Sequence, residues 1–520
     1  MNALGFGLSL LRDLRHPITA DKAADIMWRR VESRVENFIS LLLSAVFSKP
    51  GHPYDTMLRS AGYPPDRLAG LIRSMGIEDA LLQLARDGVY LSVDEFKGKM
   101  PVIRNGVRLN LNPSDLDMAS DSSVPLQSSG SRGPRMRTPI DVEGLQLLAS
   151  YIPLILRGLD AGDQPVVLYY PMPSVPGIVH LITFALAGAC PAAWFSQVPH
   201  PGFFRSIAGM ELALLIGTAR ALGIHLPGPH AADIRNPITL VLWILRSCPA
   251  GAVIATFPGS ALRLVRTALQ AGIRLPSLIF ILGGEPITRR KREYLEKEGH
   301  RVFPWYSSVE TGRIAVGCFN PAVPDDMHLL SDRLAAIIRP RTVDSSGLER
   351  EALLVTTLLT DSYKLLINVE TGDEACLENR SCGCLWERLG LTLHIHSIQS
   401  FEKLTLEGMT YVVDSLARLA EDILPARFGG TAGDYQFLEE EEEEGLTRLV
   451  VLVRPGIEAE EDLLRETVLE ALREAAPIVT PMTDLLERAS AITVRREHPR
   501  MTPSGKILPL RVRKPPGGAG

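Results

Sequence analysis

The sequence predicts a large N-terminal α/β domain followed by a hinged, small α+β domain. Three observations carry that expectation. Between 141 and about 369, short apolar runs of strand character alternate with helical patterns. From about 402 to 512 the order changes to strand, helix, strand, hairpin turn, strand, helix, strand. The chain is also 520 residues long, more than one ordinary core organises.

The elements follow in chain order. Over 20–100, Ile26, Val31, Val35, Phe38, Ile39, Leu42 and Ala45 recur at helical spacing, and shorter patterned segments lie around Leu68–Ile72 and Ala80–Leu84. The stretch 121–137 is rich in Ser, Gly and Pro and reads as a loop. Strands are expected at Val166–Tyr170, Val253–Thr256, Leu278–Leu282, Arg301–Pro304 and Ala352–Leu358. Helices such as Leu262–Gln270 and Arg289–Glu298 lie between them. That alternation argues a largely parallel sheet. The apolar run Val175–Phe195 is interrupted by Pro176, Gly177, His180, Gly188 and Pro191. A membrane span needs about 20 unbroken apolar residues, so a buried helix packed on a sheet is expected and no span.

In the C-terminal part, helices are expected at Val412–Ile423 and Glu461–Ala475. The six-glutamate run Glu439–Glu444 reads as a solvated hairpin loop that keeps an edge from pairing. The expected boundaries are 1–400, with a helical lead-in over 1–100, then 401–514, then a disordered tail over 515–520.

Apolar residues make up 46% of the chain and charged residues 22%, with a net charge of −5 and both signs dispersed. This suits a globular enzyme and gives no reason to expect nucleic acid as a partner. Cys190, Cys248, Cys318, Cys376, Cys382 and Cys384 do not form a disulfide framework in a chain of this size. Met1–Thr19 lacks a long apolar stretch with a cleavage site, so a cytoplasmic, reducing setting is expected.

Five motifs stand out. Ser128-Ser129-Gly130-Ser131-Arg132-Gly133-Pro134 combines glycines that allow close backbone approach with hydroxyls that donate hydrogen bonds, which suits phosphate. It is not a Walker loop, and alone it is equally an ordinary linker. Gly283-Gly284-Glu285-Pro286 follows a buried strand, where α/β sheets bind ligands, or makes an ordinary strand-to-helix turn. Tyr306-Ser307-Ser308-Val309-Glu310 offers an aromatic face and a hard oxygen ligand. Thr371-Gly372-Asp373 offers a carboxylate, or a plain turn. Pro503-Ser504-Gly505-Lys506 places a lysine in a glycine-containing loop, where a solvated charge is the default.

In this order the motifs resemble those of the adenylate-forming enzymes, the acyl-CoA synthetase superfamily, and within it the phenylacetate–CoA ligase branch. The resemblance runs from about Phe38 to Lys514. It implies ATP- and Mg²⁺-dependent conversion of a carboxylic acid to an acyl-adenylate, followed by transfer to coenzyme A or a carrier-protein thiol. By the same resemblance, Ser128, Ser129, Gly130, Ser131 and Gly133 hold phosphate, and Gly284, Glu285 and Pro286 lie against the purine. Tyr306 stacks on adenine, Glu310 binds Mg²⁺, Asp373 binds ribose, and Lys506 is catalytic. Cys318, His328, Cys382 and Cys384 match a structural Zn²⁺ site of some relatives, with Cys376 as an alternative ligand.

The chain departs from the family pattern at several places. Arg132 replaces a small hydroxyl residue, and Pro134-Arg135 inverts a basic-then-proline order. Ser307 and Val309 stand where glycine and threonine are usual, and Gln399 stands where arginine is usual, with Glu402 and Lys403 nearby in the hinge. Two other readings therefore stay open: a degenerate member that binds nucleotide or acid without turnover, and a zinc-stabilised interaction scaffold. For the acid, Trp194, Phe195, Phe203, Phe204 and Phe257 favour an aromatic or aliphatic group over a charged one. Monomer and homodimer are equally compatible with the sequence.

Overall fold

The structure, a computed structural model, describes residues 3–118, 123–127, 137–172, 174–198, 207–343, 348–400, 403–406, 409–475, 487–501, 507 and 509–511. The lead-in is helical as expected, with helices at Ala20–Glu32, Arg34–Leu41, Pro53–Ser60, Pro65–Met75 and Ile77–Arg86. Two of them start on a proline, whose missing N–H costs nothing in a first turn. Their apolar stripes, including Phe38, Leu58, Leu68, Ile72 and Leu81, close one face of a twelve-stranded sheet. Val124–Gln127 and Arg137–Ile140 form a separate antiparallel pair.

The large sheet uses β1 (Val166–Tyr169), β2 (Ala193–Ser196), β3 (Pro229–Ala231), β4 (Ala252–Thr256), β5 (Leu278–Leu282) and β6 (Arg301–Ser308). It continues with β7 (Gly312–Gly317), β8 (Met327–Leu329), β9 (Leu334–Val343), β10 (Leu348–Thr357), β11 (Val369–Asn379) and β12 (Leu393–Ser400). The spatial order is β9-β10-β11-β12-β8-β7-β6-β5-β4-β1-β2-β3.

Strands β1 to β6 are mutually parallel. Their near-continuous apolar sequences are buried on both faces, as a helix-covered parallel sheet requires. Strands β6 to β12 pair antiparallel. The expectation of a largely parallel sheet thus holds for one half only. The turn from β6 to β7 spans residues 309–311, far too short for a crossover helix.

The apolar run 175–195 divides into the helix Val175–Leu186 and strand β2. Among the described residues, no helix is long and apolar enough to cross a membrane. The buried rings of Trp194 and Phe195 are sheet core.

The C-terminal segment builds its own four-stranded sheet from β13 (Tyr435–Glu441), β14 (Thr447–Val453), β15 (Ile492–Arg496) and β16 (Leu510–Arg511), in the order β15-β14-β13-β16. The helix Glu461–Ala475 packs Leu464, Val468 and Leu472 on it.

The acidic run differs from its expectation. Glu439–Glu441 lie within β13, which has a partner strand on both sides. Glu440 pairs with Arg495 at 2.7 Å, Glu442 with Arg448 at 2.7 Å, and Glu444 with Arg266 of the helix Pro258–Gln270 at 2.9 Å. Glu441 accepts from the Thr288 hydroxyl, and Leu446 is buried among Leu295 and other residues of the large sheet's helical layer. Basic residues on neighbouring elements, invisible to a local reading, turn the run from a solvated loop into a seat. Gly445 permits the close approach, because a Cβ there would stand 3.1 Å from the Lys291 backbone.

Candidate active site

The carboxyl ends of β4, β5 and β6 converge, the place where a parallel sheet leaves a crevice for a ligand. Beyond β5, Gly283 and Gly284 make room for rings. A Cβ on Gly283 would sit 2.1 Å from Trp305, and one on Gly284 3.0 Å from Phe257, in a backbone with φ of +82°. Glu285 turns inward: it accepts from the Gly259 N–H at 3.1 Å, in the first turn of the helix Pro258–Gln270, where a negative charge is favoured. The buried Lys291 places its Nζ 3.8 Å from Glu285 and donates to the Pro286 carbonyl at 3.1 Å. Glu285 therefore clamps two helices, and the helix after this loop begins only at Arg289, capped by Thr288.

The pairing of β6 with β7 shifts register opposite Tyr306 and Ser307, where Ile314 is the extra residue of a bulge in β7, a device that re-aims side chains. The Tyr306 hydroxyl donates to Asp373 Oδ2 at 2.6 Å. Two motif residues separated by 67 positions are thereby joined. Burial, then the neighbouring Asp373 carboxylate, raises the Tyr306 phenol well above its usual range, so it stays protonated and donating. Thr371-Gly372-Asp373 is part of β11 rather than a plain turn, and the Asp373 N–H donates to Thr371 Oγ1 at 3.2 Å. Glu310 lies in the turn after β6, only partly buried and close enough to act on the Tyr306 phenol. Ser308 Oγ is 2.8 Å from Thr311 Oγ1 and accepts from the Thr311 N–H at 3.2 Å, so it secures that turn.

Ser128, Ser129, Gly130, Ser131 and Gly133 lie outside the described residues, as do Arg132, Pro134, Phe203, Phe204, Glu402, Lys506 and the tail 515–520. The described flanks of the lysine loop are tied: Met501 and Ile507 form an antiparallel bridge. The buried Gln436 donates to the Arg500 carbonyl at 3.1 Å and accepts from the Arg500 N–H at 2.8 Å. Gln399 is paired with Glu374 in the β11–β12 ladder.

The four residues assigned to a metal meet beyond the end of β7. Cys384 Sγ lies 3.3 Å and Cys382 Sγ 3.5 Å from His328 Nε2. Cys318 joins them through a hydrogen bond to Cys384, which draws the Cys384 thiol down and pushes its own up. His328 Nδ1 lies 2.8 Å from the Leu391 carbonyl, so it carries the proton and leaves Nε2 as a lone pair facing the sulfurs. Sequence reasoning missed His394, whose ring sits 4.0 Å from that of His328 and whose donor atom lies with Cys318, His328 and Cys382 within 4.8 Å. Asp326 orients it at 2.7 Å through Nδ1 and also pairs with Arg380. The signal was His394-Ile395-His396, an alternation that puts both histidines on one face of a strand. Cys376 is an exposed strand residue and takes no part in this cluster.

No protein-family model and no curated protein matches the sequence. Solved structures do. A 2-hydroxyisobutyryl-CoA ligase, in complex with 2-HIB-AMP and CoA in its thioesterification state, is 14% identical. It covers 93% of this chain and 90% of its own, with a TM-score of 0.50. An artificially fused adenylation–PCP di-domain from Klebsiella oxytoca is 12% identical over 92% of this chain and 94% of its own, with a TM-score of 0.39. An amide bond synthetase variant from Marinactinospora thermotolerans is 12% identical over 87% and 90%, with a TM-score of 0.39. The likeness to the first establishes the fold: this chain shares the fold of that ligase across most of its length.

Proposed function

We propose that the protein activates a carboxylic acid with ATP and passes the acyl group to a thiol, most simply coenzyme A. The observation that supports this best is the Tyr306–Asp373 pair, held at 2.6 Å beside the Gly283-Gly284 loop at the carboxyl end of the parallel strands. Tyr306 offers an adenine a ring face, and Asp373 offers the ribose hydroxyls a carboxylate. The free carboxylate of Glu310 fits the Mg²⁺ that accompanies ATP and neutralises phosphate charge. In the first step a carboxylate oxygen attacks the α-phosphorus, and the bond to the leaving pyrophosphate breaks. Lys506, brought in on its loop, would stabilise the charge that builds there. In the second step the thiol sulfur bonds to the acyl carbon and AMP departs with the bonding electron pair. The acyl-CoA ligase with the same fold makes coenzyme A the first acceptor to test.

Cys318, His328, Cys382 and Cys384 fit Zn²⁺: three sulfurs and one imidazole lone pair are a closed structural donor set. The ion would tie β7, β8 and the segment 382–384 together. A reading without turnover is favoured by one observation: the Ser308 hydroxyl is engaged by Thr311, and Val309 has no hydroxyl to donate to the α-phosphate. The deciding measurement is pyrophosphate release with ATP, Mg²⁺ and a panel of acids, wild type beside Lys506→Ala. Acid-dependent release that falls at least ~100-fold in the variant is expected. Folded, ATP-binding protein that releases none with any acid would leave the non-catalytic binder.

A further inference from the structure

Arg313 opens β7 directly across from Ser307, which puts its side chain on the sheet face that Trp305 occupies. Its guanidinium lies 3.7 Å over the Trp305 ring and is 3% exposed. Among the described residues, Nε and Nη1 are buried and have no acceptor. Among the described residues, the groups that act on it most strongly are Tyr170, Tyr151, Tyr363 and Arg333, none of them a carboxylate, and His180 also acts on it. Two of these phenols are committed elsewhere: Tyr151 donates to Asp332 at 2.8 Å, and Tyr363 to the Gly144 carbonyl at 3.3 Å.

A buried guanidinium normally faces a carboxylate, because an unpaired internal charge is costly and a stacked ring returns only part of that cost. Burial pulls Arg313 down to about 9, still well above neutrality, so the charge persists. Beside it, His180 edges onto Trp305 at 4.6 Å and onto Tyr170 at 5.0 Å. Among the described residues its Nδ1 is also buried without a partner, although the residue keeps part of its surface accessible. Tyr170 in turn meets Phe257 at 5.0 Å, the ring that flanks Gly284. Orphaned donors walled by rings, on the Trp305 face of β6 and reaching the Gly284 loop through Phe257, describe a socket that suits an anion.

We propose that this socket takes a second negative group on the acid, so that the preferred substrate is a dicarboxylic acid whose far carboxylate pairs with Arg313 while the near one is activated. The proposal rests on the adenylation reading for its chemistry, but not for the binding itself. It reverses the expectation of an uncharged acyl group. Two of the five rings behind that expectation, Trp194 and Phe195, are core residues, whereas the charge lay in a residue no motif includes.

The test pairs succinate, glutarate and adipate with the monocarboxylates butyrate, valerate and hexanoate. It uses the full chain as wild type, Arg313→Met and Arg313→Lys, each checked for a cooperative thermal transition. Pyrophosphate release gives kcat/KM for each acid, and calorimetry without ATP gives binding. The expected result is a wild-type preference for one diacid that falls about 100-fold, as a ratio to its monocarboxylate, in Arg313→Met and is partly kept in Arg313→Lys. Damage to the fold would lower both members of a pair together and leave the ratio intact, which overturns the proposal. Diacid binding that is lost in Arg313→Met, with no pyrophosphate release from any acid, would uphold the socket and remove the adenylation reading. Release with monocarboxylates alone would do the reverse, and no diacid binding at all would overturn the socket.

Discussion

The two ends of one strand, Gly312–Gly317, carry opposite chemistry. At its start, Arg313 has buried donors without acceptors among the described residues. Just past its end, Cys318 joins sulfurs and an imidazole lone pair that face one another, with His394 Nε2 buried and unpartnered beside them. On the readings proposed above, the first end would take an anion and the second a cation. Buried polar atoms are nearly always satisfied, so the sign of what is unsatisfied indicates the sign of what binds. The difference also separates roles. The sulfur end is braced by Asp326, which accepts from Arg380, His394 and the Ala322 N–H, and such bracing suits a permanent structural ion. The arginine end is braced only by rings, which suits a ligand that comes and goes.

The largest test of that contrast is to remove the brace. Asp326→Ala should destabilise the protein by about 3 kcal/mol, since it leaves the buried His394 ring and the partly exposed Arg380 without their shared carboxylate. Urea unfolding measures the loss, and a change below about 1 kcal/mol would mean the cluster is not held through Asp326. The second test uses a buried histidine that is satisfied in its neutral form. His300 Nδ1 accepts from the Leu278 N–H at 3.3 Å, and burial lowers its pKa to about 4. The unfolded chain binds this proton near pH 6.5 and the folded one only near 4. The stability is therefore full above 6.5 and is lost as pH falls through that window. The loss attributable to His300 should reach about 2 kcal/mol by pH 4.5, and it should vanish in His300→Gln when both are unfolded in urea at pH 7 and 4.5. The smallest test lies between the two ends. Tyr306→Phe deletes a hydrogen bond worth about 1 kcal/mol, so ATP affinity measured by calorimetry should weaken about 5-fold. Unchanged affinity would detach the Tyr306–Asp373 pair from nucleotide binding.

Much of this was legible in the sequence, and the rest was not for identifiable reasons. Leu278–Leu282 was bounded correctly because a fully buried strand is a continuous apolar run between turn residues. The C-terminal helix Glu461–Ala475 was equally plain from its 3.6-residue period. The antiparallel half of the sheet was missed because pairing direction depends on which distant strand arrives, as with β12 beside β8. Tyr306 and Asp373 could be named from their motifs, but nothing local states that they touch. Arg313 and His394 were unreadable for the same reason. An arginine or histidine in a strand is ordinary until the fold removes its solvent and supplies no partner.

The seat of the acidic hairpin has one more consequence. Gly445 rests on the backbone of Lys291, and the Lys291 ammonium reaches the Pro286 carbonyl, so one residue joins the C-terminal sheet to the loop after β5. Two bodies that share a contact in this way are linked reciprocally. Any free energy by which a ligand at Gly283–Pro286 favours or disfavours the seated hairpin must reappear, equal in size, as a change in that ligand's affinity when the hairpin is unseated. Because Glu444 and Arg266 are both substantially exposed, salt weakens one side of this balance without touching the crevice. For a ligand at that loop, ionic strength would then be a dial on affinity, set from a surface remote from the loop.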